Sequence, residues 1–146
     1  MVRPPNVTIV ALTKDKKIVL IKEILKGKMC LLLPGGKVEK YNPSPALIQR
    51  QALRELHEET GYKAKKIELL SRENSIWNTL DRQFVHYIAW DLEEVGQNLE
   101  EGENITKHLV TKKEAKGIIT KRMMASPEEE RTLIKALEAF QKKRLL

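Results

Sequence analysis

From Ala46 to Thr60 the chain contains neither proline nor glycine, and the residues on either side of this run read as stop signals. Ser44-Pro45 sets a helix start, with a hydroxyl to cap the first free N–H groups and a proline at the first helical position. Gly61 stands where a left-handed C-terminal cap is expected. Ile48, Ala52, Leu56 and Thr60 recur at helical spacing and mark the face that meets a core. The segment before it, from Leu33 to Pro43, holds two prolines and two glycines and reads as a loop.

The same helix carries Glu55, Glu58 and Glu59 at i, i+3 and i+4. Their side chains fall within an arc of about 100°. Like charges so placed destabilise a helix. A divalent cation removes that repulsion, and hard cations such as Mg²⁺ take oxygen ligands and share them with substrate phosphates. Arg54, four residues before Glu58, is placed to pair with it. Taken alone, three glutamates on a helix more often make a solvated acidic face.

The context changes that reading. Arg54-Glu55-Leu56-His57-Glu58-Glu59-Thr60-Gly61-Tyr62, preceded by Leu33-Pro34-Gly35-Gly36-Lys37-Val38-Glu39, resembles the signature of the Nudix hydrolases, G-x5-E-x7-R-E-U-x-E-E-x-G-U with U a bulky apolar residue. The second half matches at every position. The first half departs from it. The pattern takes fourteen steps from Gly to Arg, whereas Gly36 to Arg54 is eighteen, and no acid lies between Lys40 and Arg54. The four added residues are expected to form an extra helical turn or a wider loop.

The resemblance implies an α/β/α sandwich with a mixed β-sheet and one domain over residues 1–146. It implies hydrolysis of the pyrophosphate of a nucleoside diphosphate linked to another moiety, ADP-ribose or a sugar nucleotide. Nucleoside triphosphates, diadenosine polyphosphates and RNA 5′ ends are the alternatives within the class, and a nucleotide-binding module without catalysis is the alternative outside it. By resemblance Glu55, Glu58 and Glu59 hold Mg²⁺ or Mn²⁺, with the Gly36 carbonyl as a further ligand. Arg54 orients the carboxylates, and Gly35 and Gly36 admit phosphates. The resemblance leaves two sources for the general base, a box glutamate such as Glu58 or a glutamate of the later acidic loop, where Glu103 is favoured over Glu100 and Glu101. Trp77, in a polar stretch, is a candidate to stack on a base.

Composition is compatible with this. Of 146 residues, 41% are apolar and 32% charged, which argues for a packed domain over disorder. No apolar run reaches the ~20 residues needed to span a bilayer. A single cysteine forms no internal disulfide, and with no signal-peptide core at the start a cytoplasmic location is the expectation. The net charge of +7 suits anionic partners, nucleotides first and RNA second. Oligomeric state, monomer or homodimer, is not encoded in any motif.

Elsewhere, strands are expected at Asn6 to Leu12, Lys17 to Ile21, Met29 to Leu33, Ala64 to Leu70, Phe84 to Leu92 and Ile105 to Val110. Ser71 to Arg82 and Glu93 to Asn104 read as loops. Thr111-Lys-Lys-Glu114 is a capping box opening a short helix that fades at Gly117. Ser126-Pro127 opens the last helix, with Leu133, Ala136, Leu137 and Phe140 as its apolar stripe. Cys30 is expected as a buried structural thiol. His86 and His108 are expected on strands or at the surface, and His57 on the helix face away from the carboxylates. Tyr87 and Trp90 are expected on opposite faces of their strand.

Overall fold

The structure is a computed structural model that describes residues 4–75, 82–97 and 104–146. Among the described residues seven strands and three helices follow in the order β1 (Asn6–Leu12), β2 (Ile18–Leu25), β3 (Lys28–Leu32), β4 (Gly35–Lys37), α1 (Pro45–Thr60), β5 (Tyr62–Ser75), β6 (Arg82–Glu94), β7 (Ile105–Val110), α2 (Lys112–Thr120) and α3 (Pro127–Lys142). The sheet is mixed. β1 runs parallel to β6, from Asn6↔Phe84 to Ala11↔Ala89, and the other pairings between the described strands are antiparallel, with an isolated parallel bridge from Leu31 to Met124.

The sheet splits near its centre. One edge of β1 is taken by β6. The other edge is shared, with β2 at Ala11 and Leu12 and β4 at Asn6 to Thr8. β2 likewise has β7 on one edge and β1, then β3, along the other. Where β1 and β2 diverge, the glycine-containing β4 fills the gap.

β1 is apolar on both faces because both faces are covered. Val7, Ile9 and Ala11 pack with Ile48, Ala52 and Leu56 of α1. Val10 and Leu12 pack with Leu133, Ala136, Leu137 and Phe140 of α3. Two cores therefore lie on opposite sides of one sheet, as expected for an α/β/α sandwich. Leu56 and Phe140 are fully buried, each worth about 1.5–3 kcal/mol of transfer free energy.

Four local expectations are corrected. Gly35 to Lys37 is a strand, because β1 supplies a pairing partner that no local pattern announces. The expected loop at Ser71 to Arg82 is β-strand at both ends. Arg72 pairs with Val85 and Asn74 with Gln83 after a bulge between Leu69 and Ser71. β5 ends the strand order, and an edge strand accepts such polar residues. α2 continues through Gly117 to Thr120, since burial of Ala115 and Ile118 outweighs the roughly 1 kcal/mol that glycine costs a helix. Cys30 is half-buried on β3, not enclosed.

Candidate active site

The site is assembled where β4 crosses the face of α1. β4 is held to β1 by the pairs Asn6↔Lys37, Val7↔Gly36 and Thr8↔Gly35. Its ends are fixed by Ile9 N–H to the Pro34 carbonyl and Val38 N–H to the Pro5 carbonyl, both 2.9 Å. A Cβ on Gly35 would collide with the Val7 carbonyl oxygen. A Cβ on Gly36 would stand 2.5 Å from Glu55 Oε1. The two glycines are thus required by close approach, one to a strand and one to a carboxylate.

α1 forms as its termini dictate. Ser44 Oγ accepts from Leu47 N–H at 3.1 Å, Pro45 opens the helix, and Gly61 caps it at φ 80° with its N–H on the His57 carbonyl. The helix is sixteen residues long. Counted forward from Gly36, the first-glutamate position falls on Asn42, in the loop at φ 49°. Counted back from Arg54, it falls on Ala46, in the first helical turn.

The three box carboxylates have distinct surroundings. Glu55 Oε1 accepts from Gln51 Nε2 at 2.9 Å and lies against Gly36. Glu58 Oε1 is 3.3 Å from Arg54 Nε, the expected i, i+4 pair. Glu59 is 7% exposed and accepts the Gly35 N–H at 2.8 Å through Oε1. Glu55 and Glu58 open on a cleft of about 380 Å³ with Lys37, Lys40, Gln51 and Arg54. Glu59 is turned under β4 and does not line it. Among the described residues no three acidic, histidine or cysteine side chains converge into a formed metal site. The donor set nevertheless fits a hard cation. It is all oxygen, two of its carboxylates share one cleft, and Glu55 rests against a backbone position that a Cβ would fill.

Two polar residues at this site carry no signal in the family pattern. Gln51 was findable by spacing, one helical turn before Glu55. Gln97 was not. Its Nε2 donates to the Glu59 carbonyl and also reaches the Ile105 carbonyl, tying the segment after β6 to the end of α1. His57 lies outside the cleft, in a hollow with Arg50, Leu53 and Lys63. His108 is half-buried on β7, and burial pulls its imidazole below the ordinary value. Tyr87 is buried on the α1 side and Trp90 packs on the α3 side, as their spacing requires. Trp77 and the acidic trio Glu100, Glu101 and Glu103 lie outside the described residues.

A Nudix domain family model matches residues 2–133. A methanol dehydrogenase activator of Bacillus methanolicus is 39% identical over 69 residues, 46% of this chain and 35% of that protein. An ADP-ribose pyrophosphatase of Bacillus subtilis (strain 168) is 39% identical over 66 residues, 44% of this chain and 34% of that protein. The matched stretch thus spans about a third of the length of these curated relatives. A crystal structure of an ADP compounds hydrolase superposes with a TM-score of 0.83 over 99% of this chain and 76% of that one, at 18% identity. A NUDIX hydrolase from Nitrosomonas europaea superposes at 0.66 over 92% and 90%, at 21% identity. At these identities the superpositions speak for the fold, and with the family match over most of the chain they place it: this chain belongs to the Nudix domain family.

Proposed function

We propose that the protein is a metal-dependent pyrophosphohydrolase acting on a nucleoside diphosphate linked to another moiety, with ADP-ribose as the leading substrate. The observation that carries this reading is the shared cleft of Glu55 and Glu58 beside the glycine strip, rimmed by Lys37, Lys40 and Arg54. ADP-ribose is put first because of the Bacillus subtilis relative. The whole of residues 1–146 is read as one such domain.

Nudix hydrolases generally need a divalent metal, and Mg²⁺ or Mn²⁺ suits these oxygen donors. Glu55, Glu58 and Glu59, with the Gly36 carbonyl, would hold it. When bound, such an ion screens phosphate charge, lowers the pKa of water and stabilises the leaving oxygen. The chain's own residues supply the rest. Arg54 holds the Glu58 rotamer through their ion pair. Gln51 holds Glu55. Glu59, bonded to Gly35 N–H, fixes β4 at a set height over the helix. The absence of side chains on Gly35 and Gly36 lets phosphate oxygens approach the backbone. Lys37 and Lys40 draw the anionic substrate into the cleft. Glu103 is the residue assigned to take the proton of the attacking water, and Trp77 the one assigned to stack on a base.

The test is turnover in Mg²⁺ or Mn²⁺ by the wild type and by Glu58→Gln. The variant is expected to fold normally and to lose about 10²–10³ in kcat, the cost typical of removing one preorganised charge-stabilising group. Equal rates in the two proteins would remove the cleft from the chemistry.

A further inference from the structure

Beside its acidic stripe, α1 carries a second stripe of opposite charge. Arg50, Arg54 and His57 stand at i, i+4 and i+7, on one face of the helix, with Leu53 among them. Gly61 then ends α1 in a left-handed turn, and β5 begins beside this face with Lys63 and Ala64. These residues line a hollow of about 400 Å³. Arg50, Arg54 and Lys63 are exposed, whereas Leu53, His57 and Ala64 are half-buried, so a cationic rim stands over a partly apolar floor. No acidic side chain lines it.

Elsewhere the chain pairs its lysines with carboxylates, as in Lys107 with Glu94, Lys135 with Glu73 and Lys143 with Glu68. The hollow is different. Among the described residues Arg50 and Lys63 make no ion pair, although Lys63 stands opposite Glu93 on β6, and the His57 ring has no hydrogen-bond partner. Arg50 and Arg54, like charges four residues apart, repel each other, and an anion between them removes that repulsion. Arg54 also lines the cleft of Glu55 and Glu58. Its Nε is 3.3 Å from Glu58 Oε1, yet its side chain is 69% exposed. An exposed i, i+4 ion pair is weak, whereas a guanidinium grips phosphate oxygens through two parallel N–H bonds. A phosphate dianion flanked by Arg50 and Lys63 is therefore a stronger partner for Arg54 than one carboxylate.

We propose that this hollow binds the dianionic phosphate of a small phosphomonoester, and that its occupation draws Arg54 away from Glu58 and lowers turnover in the neighbouring cleft. Arg50, Arg54 and Lys63 meet the phosphate oxygens, His57 adds an imidazole N–H, and the organic part lies against Leu53 and Ala64. The binding site rests on the hollow's own geometry, and its effect on turnover rests on the proposed function. The volume is at the lower end of the roughly 300–1,000 Å³ of small-molecule sites. It suits one phosphate with a small body better than a run of nucleic-acid backbone. The bound ester is a regulator and not a substrate, because no carboxylate in the hollow could hold a metal. Glu58, once released by Arg54, loses its set rotamer, and displacements of about 1 Å near a reacting centre slow the reaction severely.

NMR titration of the protein in Mg²⁺ with glycerol 3-phosphate and with inorganic phosphate reads binding without turnover. The Arg54 Nε–H and His57 ring signals are expected to shift and saturate. The double variant Arg50→Gln, Lys63→Gln is expected to weaken binding at least about tenfold, the effect of roughly one charge-assisted hydrogen bond. In steady-state hydrolysis, glycerol 3-phosphate is expected to lower the wild-type kcat at least about fivefold, the lower end of common coupling between sites. An anion that only enters the cleft raises KM and leaves kcat alone. Without the ester the double variant should keep the wild-type kcat, and with it the kcat should not fall. Absent shifts, equal shifts in the two proteins, or inhibition confined to KM would overturn the proposal. So would a single-stranded oligonucleotide that binds this face more tightly than glycerol 3-phosphate. Saturable shifts lost in the double variant, in a protein that turns over nothing, would leave the phosphate site standing and remove the hydrolase reading. Turnover without the shifts would do the reverse.

Discussion

Gly36 is the residue on which the site geometry turns. A methyl group there would stand 2.5 Å from Glu55 Oε1, so the carboxylate or the strand must move. Gly36→Ala is therefore expected to lower kcat/KM at least about tenfold, since displacements of about 1 Å at a reacting centre have costs of that order or larger. Its melting temperature should change little. An unaltered rate would show that Glu55 does not need its present place. Glu129 makes a second prediction. Burial, opposed by the Leu33 N–H and reinforced by Glu128, pushes its carboxyl up to about 7. A folded-state pKa above the unfolded one means the folded protein binds the proton more tightly. The contribution is fully present below about pH 4.5 and is lost as pH rises through about 7. Glu129→Gln keeps an oxygen for Leu33 and removes the titration. Its melting temperature relative to wild type should rise between pH 5 and pH 8. A difference that is flat with pH would contradict the burial of this group.

At the level of elements, α1 makes the site by having defined ends. Ser44→Ala removes the cap on Leu47 N–H and is expected to cost about 1 kcal/mol in denaturant unfolding. Leu56→Ala empties a fully buried position between α1 and β1 and is expected to cost about 2–5 kcal/mol. A loss below about 1 kcal/mol in the second variant would mean that α1 is not anchored by its apolar face. The ends of α1 were legible in the sequence because Ser44, Pro45 and Gly61 act on their immediate neighbours. So were α3 and the strands β1 and β7, whose patterns are local. β4 was not legible. Three residues, two of them glycine, carry no pattern, and the strand exists only because β1 lies beside it. For the same reason the arc of Glu55, Glu58 and Glu59 was readable from helical spacing, whereas the burial of Glu59 was not, since it follows from β4 passing over it. The tie from Gln97 to the Glu59 carbonyl joins segments far apart in sequence and left no trace in either.

For the whole molecule, the split sheet is the organising feature. β1 and β2 part company, β4 enters between them, and a cavity opens on each side of it, one lined by Glu55 and Glu58 and the other by His86 and Glu129. One sheet thus separates two helix-covered cores, with an acidic cleft on one side of β4 and a mostly apolar cavity on the other. The +7 net charge favours approach of polyphosphates to the molecule, and raising ionic strength from low to physiological values should slow association more than it slows turnover. Among the described residues no helix is long and apolar enough to cross a membrane. The most direct test of the central claim is hydrolysis of ADP-ribose by the purified protein in Mg²⁺ or Mn²⁺, with products read by mass and Glu58→Gln alongside. AMP and ribose 5-phosphate formed by the wild type and lost in the variant are the predicted result. A folded wild type that leaves ADP-ribose and every other nucleoside diphosphate derivative intact would contradict it.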